Sequence, residues 1–496
     1  MRKNITHLFC FVFAVLLVNT AWAQNEKRAV FLANTIKSST LKTHVKILSS
    51  DDMEGRECGK PGQKKAAVYL RQQLQKVGVE SLSPNYFQKF PLLEVSLMQI
   101  EVIVNGRSLQ FGKEFQHYKN FDNVSLTGLE AVFLGYGDKH SSNGYKNVNV
   151  SGKAVFMLDF REGEDNVPLK ERIQHAKALN AKAVFVIQEH YSKEGSYIYE
   201  KIQKLGTDSF EYDIPVLHVS KELADSLLKN FGGPKLEKWL SKKKKKQKNY
   251  ALDLIVDVKV NTVSRKISSE NVLGFISGKE KKNEVLVLMA HYDHLGIKGK
   301  DIYNGADDNA TGVAALLEIA EAFSIAKEMG GGFRRSVLIL LVSGEEKGLL
   351  GSKYYCEHPE FSMKQTIATL NIDMIGRSDT LHPNDPNYVY VIGSNFISDD
   401  LHEVNEKQNA VYSKLKLDYR YNNKSDPNRF YYRSDHYNFA ERGVPSIFYF
   451  SGIHKDYHQF GDTADKIDYS KLQKISKHIF YTAWKLVTMD ENITKN

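Results

Sequence analysis

The sequence predicts an α/β fold: a mostly parallel, mixed sheet sandwiched by helices, with a smaller β-rich α+β module inserted. Three observations carry this. From about residue 250 onward, short apolar runs alternate with helical stretches, the pattern of a largely parallel sheet covered on both faces. Val285–Ala290 and Val337–Val342 are uninterrupted apolar runs, as strands buried on both faces are. Between about 116 and 250 the texture changes, and the carboxylate and histidine groups that close the later runs are missing.

Taken in order, residues 1–23 read as a secretory leader: Arg2 and Lys3, the apolar stretch Leu8–Val18, then Ala21-Trp22-Ala23. That stretch is shorter than the ~20 residues that span a bilayer, and no later segment reads as a span. An exported protein, periplasmic or extracellular, is expected. Residues 24–115 form the first part of the main domain. Ala66, Ala67, Leu70, Leu74 and Val77 keep a helical beat before Gly78, and 87–115 alternate like strands. Residues 116–250 form the insert, with strands at Val132–Gly137, Lys153–Leu158, Ala183–Ile187 and Ile214–Val219 and helices at Leu169–Leu179 and Lys221–Lys229. The lysine run 242–248 reads as its exit linker. Residues 251–496 complete the main domain, with strands at Asn271–Ile276, Val285–Ala290, Val337–Val342, Thr366–Ile372, Tyr388–Ile392 and Ile447–Phe450, and helices at Val313–Phe323 and Ser470–Met489.

The net charge of +9 resides largely in Lys242–Lys246 and Lys248. A nucleic-acid groove needs basic residues spread along a surface with aromatics among them, so no nucleic-acid partner is expected. After loss of Cys10 with the leader, Cys58 and Cys356 are too few for a zinc ribbon.

The chemistry sits at the ends of the strands. His291-Tyr292-Asp293 follows Val285–Ala290, and Gly305–Gly312 follows in the next loop. Ser343-Gly344-Glu345-Glu346 follows Val337–Val342, Asp373 follows Thr366–Ile372, and Asp456-Tyr457-His458 follows Ile447–Phe450. Strand C-termini of an open α/β sheet face one crevice, and clustered carboxylates and imidazoles there call for cations. Residues i and i+2 of an extended segment share a side, so Asp293 can accept from one nitrogen of His291 and leave the other for a metal. A two-metal site needs a bridging carboxylate; Asp307 is chosen, with Asp308 in support. Of the glutamate pair, Glu346 is read as ligand and Glu345 as general base. The last ligand is His458 or His454, with His294 and His436 less favoured. A set of imidazoles and carboxylates without thiolate suits Zn²⁺.

At these residues the chain resembles the bacterial and fungal di-zinc aminopeptidases, relatives of the glutamate carboxypeptidases in metallopeptidase clan MH. The matching pieces are Ala290–Asp293, Asn304–Gly312, Ser343–Gly348, Asn371–Ile375, Arg433–His436, Asp456–His458 and Gly461–Ile467, with the entry run Leu48–Arg56. The likeness covers about 28–115 and 250–490. Residues Val132–Gly137, Val150–Val155, Ala178–Ala183 and Asp213–Val219 resemble a protease-associated domain. The resemblance implies a zinc exopeptidase fold with two Zn²⁺ per chain and peptide substrates. Asp307 would be the bridge, His291 and Asp373 would hold one ion, and Glu346 and His458 the other. Glu345 would be the base that activates a water held by both metals, and Asp293 would orient His291. Tyr457 would be the oxyanion donor and Arg433 a substrate contact. Only the resemblance selects His458 over His454. Aminopeptidase activity is the expectation, and carboxypeptidase or dipeptidase the alternative. A glutaminyl-cyclase-like acyltransferase or a binding module that has lost catalysis is less expected.

Overall fold

The computed structural model describes residues 25–117, 123–138, 145, 147–159, 167–189, 201–206, 214–243, 246–330, 332–383 and 385–496. The leader expected at 1–23 lies outside them. The chain divides into two compact units, one made of residues 1–92 and 267–496 and the other of Leu93–Lys266. The smaller unit is wider than the 116–250 read from the sequence.

After a helical run over 25–33, the larger unit has the helices α1 (Ser38–Leu48) and α2 (Pro61–Lys76). The smaller unit contains β1 (Phe115–His117), β2 (Val124–Phe133), β3 (Ala154–Leu158), α3 (Leu169–Ala178), β4 (Ala183–Gln188), β5 (Val216–Ser220) and α4 (Lys221–Asn230). Its strands run in the order β1-β5-β4-β3-β2, with β2 through β5 parallel to one another and β1 antiparallel to β5. Next comes the long strand β6 (Tyr250–Ile276), whose residues Tyr250–Val260 pair antiparallel with β2. The lysine run precedes this pairing, so it lies inside the unit and is not its exit linker. The two long strands Phe87–Val104 and β6 explain the misplaced boundary, since each carries both a domain edge and a paired strand.

The larger unit continues with β7 (Lys281–His291), α5 (Gly312–Glu328), β8 (Arg335–Val342), α6 (Leu350–Glu357), β9 (Thr366–Ile372), β10 (Tyr388–Ile392), α7 (Asp399–Gln408), β11 (Lys416–Asp418), α8 (His436–Ala440), β12 (Ser446–Phe450) and α9 (Tyr469–Thr488). Its sheet order is β11-β10-β12-β9-β7-β8-β6. The central strands β12, β9, β7 and β8 are parallel to their neighbours, while β10 pairs antiparallel with β12, and Val272–Ile276 of β6 antiparallel with β8. This is the mostly parallel mixed sheet expected.

Side chains alternate across each strand. Leu286, Leu288 and Ala290 of β7 pack with α1, α2, α5 and α9, whereas Val285, Val287 and Met289 pack on the opposite face with Tyr355 of α6 and Phe439 of α8. Each fully buried leucine contributes about 1.5–3 kcal/mol relative to exposure. The register aligns the strand ends: His291 is opposite Val342, and Ile372 opposite Tyr449. All the chain reversals that follow these strands therefore open at one edge of the sheet.

The helical stretch Ala306–Glu328 is long and apolar enough by composition to cross a membrane, but 89% of its most apolar 18-residue window is buried inside the protein, as in a core helix. Cys58 and Cys356 are both buried and are not joined by a disulfide.

Candidate metal centre

At this edge two groups of donor atoms converge on one carboxylate. His291 Nε2 lies 3.3 Å from Asp308 Oδ1 and 3.2 Å from Asp373 Oδ1. His458 Nε2 lies 3.2 Å from Asp308 Oδ2 and 3.2 Å from Glu346 Oε2. Ligands held on one ion at the usual zinc distances stand about 3.3 Å apart in tetrahedral geometry. The separations among these donor atoms are those of groups that could hold a cation. His291, Asp308 and Asp373 form one candidate metal-binding trio, and His294, Asp308 and Glu346 another.

The central carboxylate is Asp308, and this corrects the choice of Asp307. Asp307 faces away: its Oδ1 accepts from Gly376 N at 2.7 Å and from Thr311 Oγ1 at 3.1 Å, and its Oδ2 lies 3.3 Å from His454 Nε2. Its carboxylate is thus occupied behind the cluster. The loop that parts the two aspartates is irregular. Gly305 is left-handed, and Asp308 and Asn309 depart from helical angles, so neither helical nor strand periodicity tells which aspartate points inward. Backbone N–H groups of Asp307 and Asp308 donate to Asp462, each at 3.0 Å. Asn309 donates to Ile372 O at 2.9 Å and accepts from Met374 N. At Gly312 a Cβ would stand 2.4 Å from Ile372 O, so only glycine lets the start of α5 approach the end of β9 this closely.

Asp373 is steadied by Ser434 Oγ, which donates to its Oδ2 at 2.8 Å. The ring of His291 is oriented differently from the expectation. Its Nδ1 is 3.2 Å from the backbone carbonyl of Asp293 and 3.9 Å from the carboxylate Oδ1. The Asp293 carboxylate instead accepts from Glu345 N at 3.2 Å, so the main chain of Asp293 serves His291 and its side chain holds the turn that carries both glutamates. His454 faces Asp307 and is not in the cluster; His436 is buried beside Phe448.

Charge is tightly balanced here. Burial raises Glu345, and Glu346, Asp373 and Asp435 raise it further, so that it stands well above the usual carboxylate range despite His291. Against burial and the neighbouring Asp308, the imidazoles of His458 and His294 hold Glu346 at about 2. Burial opposes a charged His458, but Glu346 and Asp308 outweigh it and lift the ring to about 10. Perturbed groups of this kind concentrate at functional sites, though structural ion-pair networks produce them too. Behind them, Arg56 is buried and donates to the carbonyls of Tyr292 at 2.7 Å, Asn304 at 2.8 Å and Gly305 at 2.9 Å, and also to Leu48. Burial lowers Arg56 to about 10, although Asp293, Asp308, Asp462 and Glu346 pull the other way. It ties together the two segments that bear His291 and Asp308. Arg56 stood in the entry run read from the sequence, but nothing in that run assigned it a task.

A pocket opens beside the cluster. Asp308, Glu345, Asp373 and His458 form its polar wall, and Met374, Phe430, Phe448, Phe450 and Ile453 its apolar wall. Tyr457 and Arg433 complete it. Arg433 is exposed, lies over the Phe430 ring at 5.1 Å and donates from Nη2 to Tyr457 Oη at 3.3 Å.

Fold and cluster together define an α/β domain with a candidate metal centre at the C-terminal edge of its parallel strands. Residues 271–483 match the model of Peptidase family M28, and over this stretch the resemblance read from the sequence is borne out. The chain is similar to a probable leucine aminopeptidase of Arthroderma otae, at 28% identity over 239 residues, 47% of this chain and 62% of that protein. It is also similar to aminopeptidase YwaD of Bacillus subtilis, at 26% identity over 211 residues, 42% of this chain and 37% of that protein. The chain thus spans less than two thirds of the length of these curated relatives. Among solved structures, an aminopeptidase from Aneurinibacillus sp. strain AM-1 shares the fold with a TM-score of 0.63 and 19% identity, covering 94% of this chain and 96% of that one.

Proposed function

We propose that the chain is a zinc-dependent exopeptidase that removes N-terminal residues from peptides. The observation that carries this reading is the seating of Asp308 between His291 and His458, with Asp373, Glu346 and Glu345 around it. Relatives named as aminopeptidases and zinc metalloproteases support it. Two zinc ions held by His291, Asp308 and Asp373 and by Asp308, Glu346 and His458 would supply Lewis-acid polarisation of the scissile carbonyl and acidify a water. Glu345 stands beside them on the pocket wall. As general base it takes the proton of the attacking water and then gives it to the leaving amine. Asp293 fixes the turn from which Glu345 projects. Tyr457 Oη, steadied by Arg433, donates to the developing oxyanion. The apolar wall receives the side chain of the terminal residue and excludes water around it.

The leader-like residues 1–23 support an exported enzyme, and the unit Leu93–Lys266 is proposed as a protease-associated insert. One observation favours a second direction of cleavage. Arg433 places a guanidinium on the pocket, where it could bind a terminal carboxylate as in a carboxypeptidase or dipeptidase.

A blocked-peptide panel separates the two. The purified protein is expected to hydrolyse leucyl chromogenic amides and C-amidated peptides. It should leave N-acetylated peptides intact, lose activity with 1,10-phenanthroline and regain it with Zn²⁺. Release of C-terminal residues from N-acetylated peptides would reverse the direction, and activity unaffected by the chelator would remove the metal from the reading.

A further inference from the structure

We infer that His294 is a positioning residue for Glu346, donating from Nδ1 to Oε1 so that Oε2 is the oxygen left for the cation. The inference rests on the two-ion reading above and deepens it. His294 is fully buried, with its Nδ1 2.8 Å from Glu346 Oε1. That is a hydrogen-bond distance, shorter than the about 3.3 Å expected between two ligands of one ion. The same nitrogen stands 3.8 Å from Asp308 Oδ2. His458, by contrast, lies 3.2 Å from both Asp308 Oδ2 and Glu346 Oε2. The two oxygens of Glu346 are therefore divided, one facing His458 and the other held by His294. That hydrogen bond restrains rotation of the carboxylate and favours Oε2 as the oxygen offered to the ion.

The ring cannot easily turn. The backbone N–H of His294 donates to Arg56 O at 3.2 Å, and its ring lies flat against Gly305, where a Cβ would stand 2.5 Å from Cγ and Cδ2. Its Nε2 is buried with no partner. A proton there would leave a buried N–H unsatisfied and forfeit the bond to Glu346, a cost of about 1–3 kcal/mol for the orphaned group alone. The proton therefore belongs on Nδ1. Ligand carboxylates held by such outer partners lose metal affinity when the partner is removed.

Asparagine and glutamine at position 294 test this with the full-length protein, because the asparagine amide nitrogen falls near Nδ1 of the ring and the glutamine amide nitrogen near Nε2. Metal-free protein is titrated with Zn²⁺ against a chromogenic chelator, and with Co²⁺ while its visible d–d bands are followed. The wild type is expected to bind two ions. His294→Gln and His294→Phe should weaken the second by about 10–100-fold with the first unchanged, and alter the Co²⁺ bands of the second equivalent only. His294→Asn should recover most of the loss, a rescue that filling space alone would not give. A glutamine variant that binds both ions like wild type overturns the proposal while leaving the two-ion reading intact, and so does an asparagine variant as weak as glutamine. A wild type that holds one ion overturns the two-ion reading and this proposal with it.

Discussion

Glu345→Gln is expected to slow peptide hydrolysis by about 10²–10⁴-fold while the metal content stays at the wild-type level. The carboxamide has the shape of the carboxylate but cannot take a proton from water. None of the donor atoms that converge on Asp308 belongs to Glu345: the close contacts run from His291 to Asp373 and from His458 to Glu346. The main-chain bond from Glu345 N to Asp293 also survives the change. Turnover of a leucyl amide, measured beside zinc content by mass spectrometry, checks both halves. A Glu345→Gln enzyme with near wild-type turnover and full metal would remove Glu345 from the base role.

The adjacent aspartates should behave in opposite ways. Asp308→Asn removes the negative charge that lies 3.3 Å from His291 and 3.2 Å from His458, so neither of the two proposed ions would keep a bridging carboxylate. More than about 100-fold loss of metal affinity is expected, exceeding the effect of removing an outer partner, and activity falls with it. In Asp307→Asn the carboxamide oxygen still accepts from Gly376 N and Thr311 Oγ1, as the carboxylate does now. Both ions should be retained, with a stability loss of about 0.5–1.5 kcal/mol, the net worth of an ordinary hydrogen bond. Isothermal titration with Zn²⁺ and thermal melts of the metal-free proteins distinguish the pair. Equal metal loss in both variants would contradict the assignment of Asp308 alone as the bridge.

The sheet was legible from sequence because its central strands are buried on both faces. Val285–Ala290 and Val337–Val342 are unbroken apolar runs and Thr366–Ile372 is a mostly apolar one; each reappears in a strand, the first ending on His291, the second followed by Ser343 and the third by Asp373. Those ends revealed where chemistry gathers. The boundary of the smaller unit was harder to read, since Phe87–Val104 and Tyr250–Ile276 are single long strands with no break to mark a transition. Within the site, residues on regular strand ends were placed by alternation, but Asp307 and Asp308 lie in a turn of mixed backbone angles, where adjacent carboxylates diverge for reasons no periodicity encodes. The role of His294 was equally hidden. It depends on the separation from Glu346, 52 positions later in the chain, and on the absence of a side chain at Gly305.

The most direct test is anomalous scattering at the zinc edge from a crystal of the zinc-loaded protein. Two peaks about 3.5–4 Å apart, one on each side of the Asp308 carboxylate, are expected. A single peak, or a pair centred on Asp307 and His454, would contradict a two-cation centre bridged by Asp308.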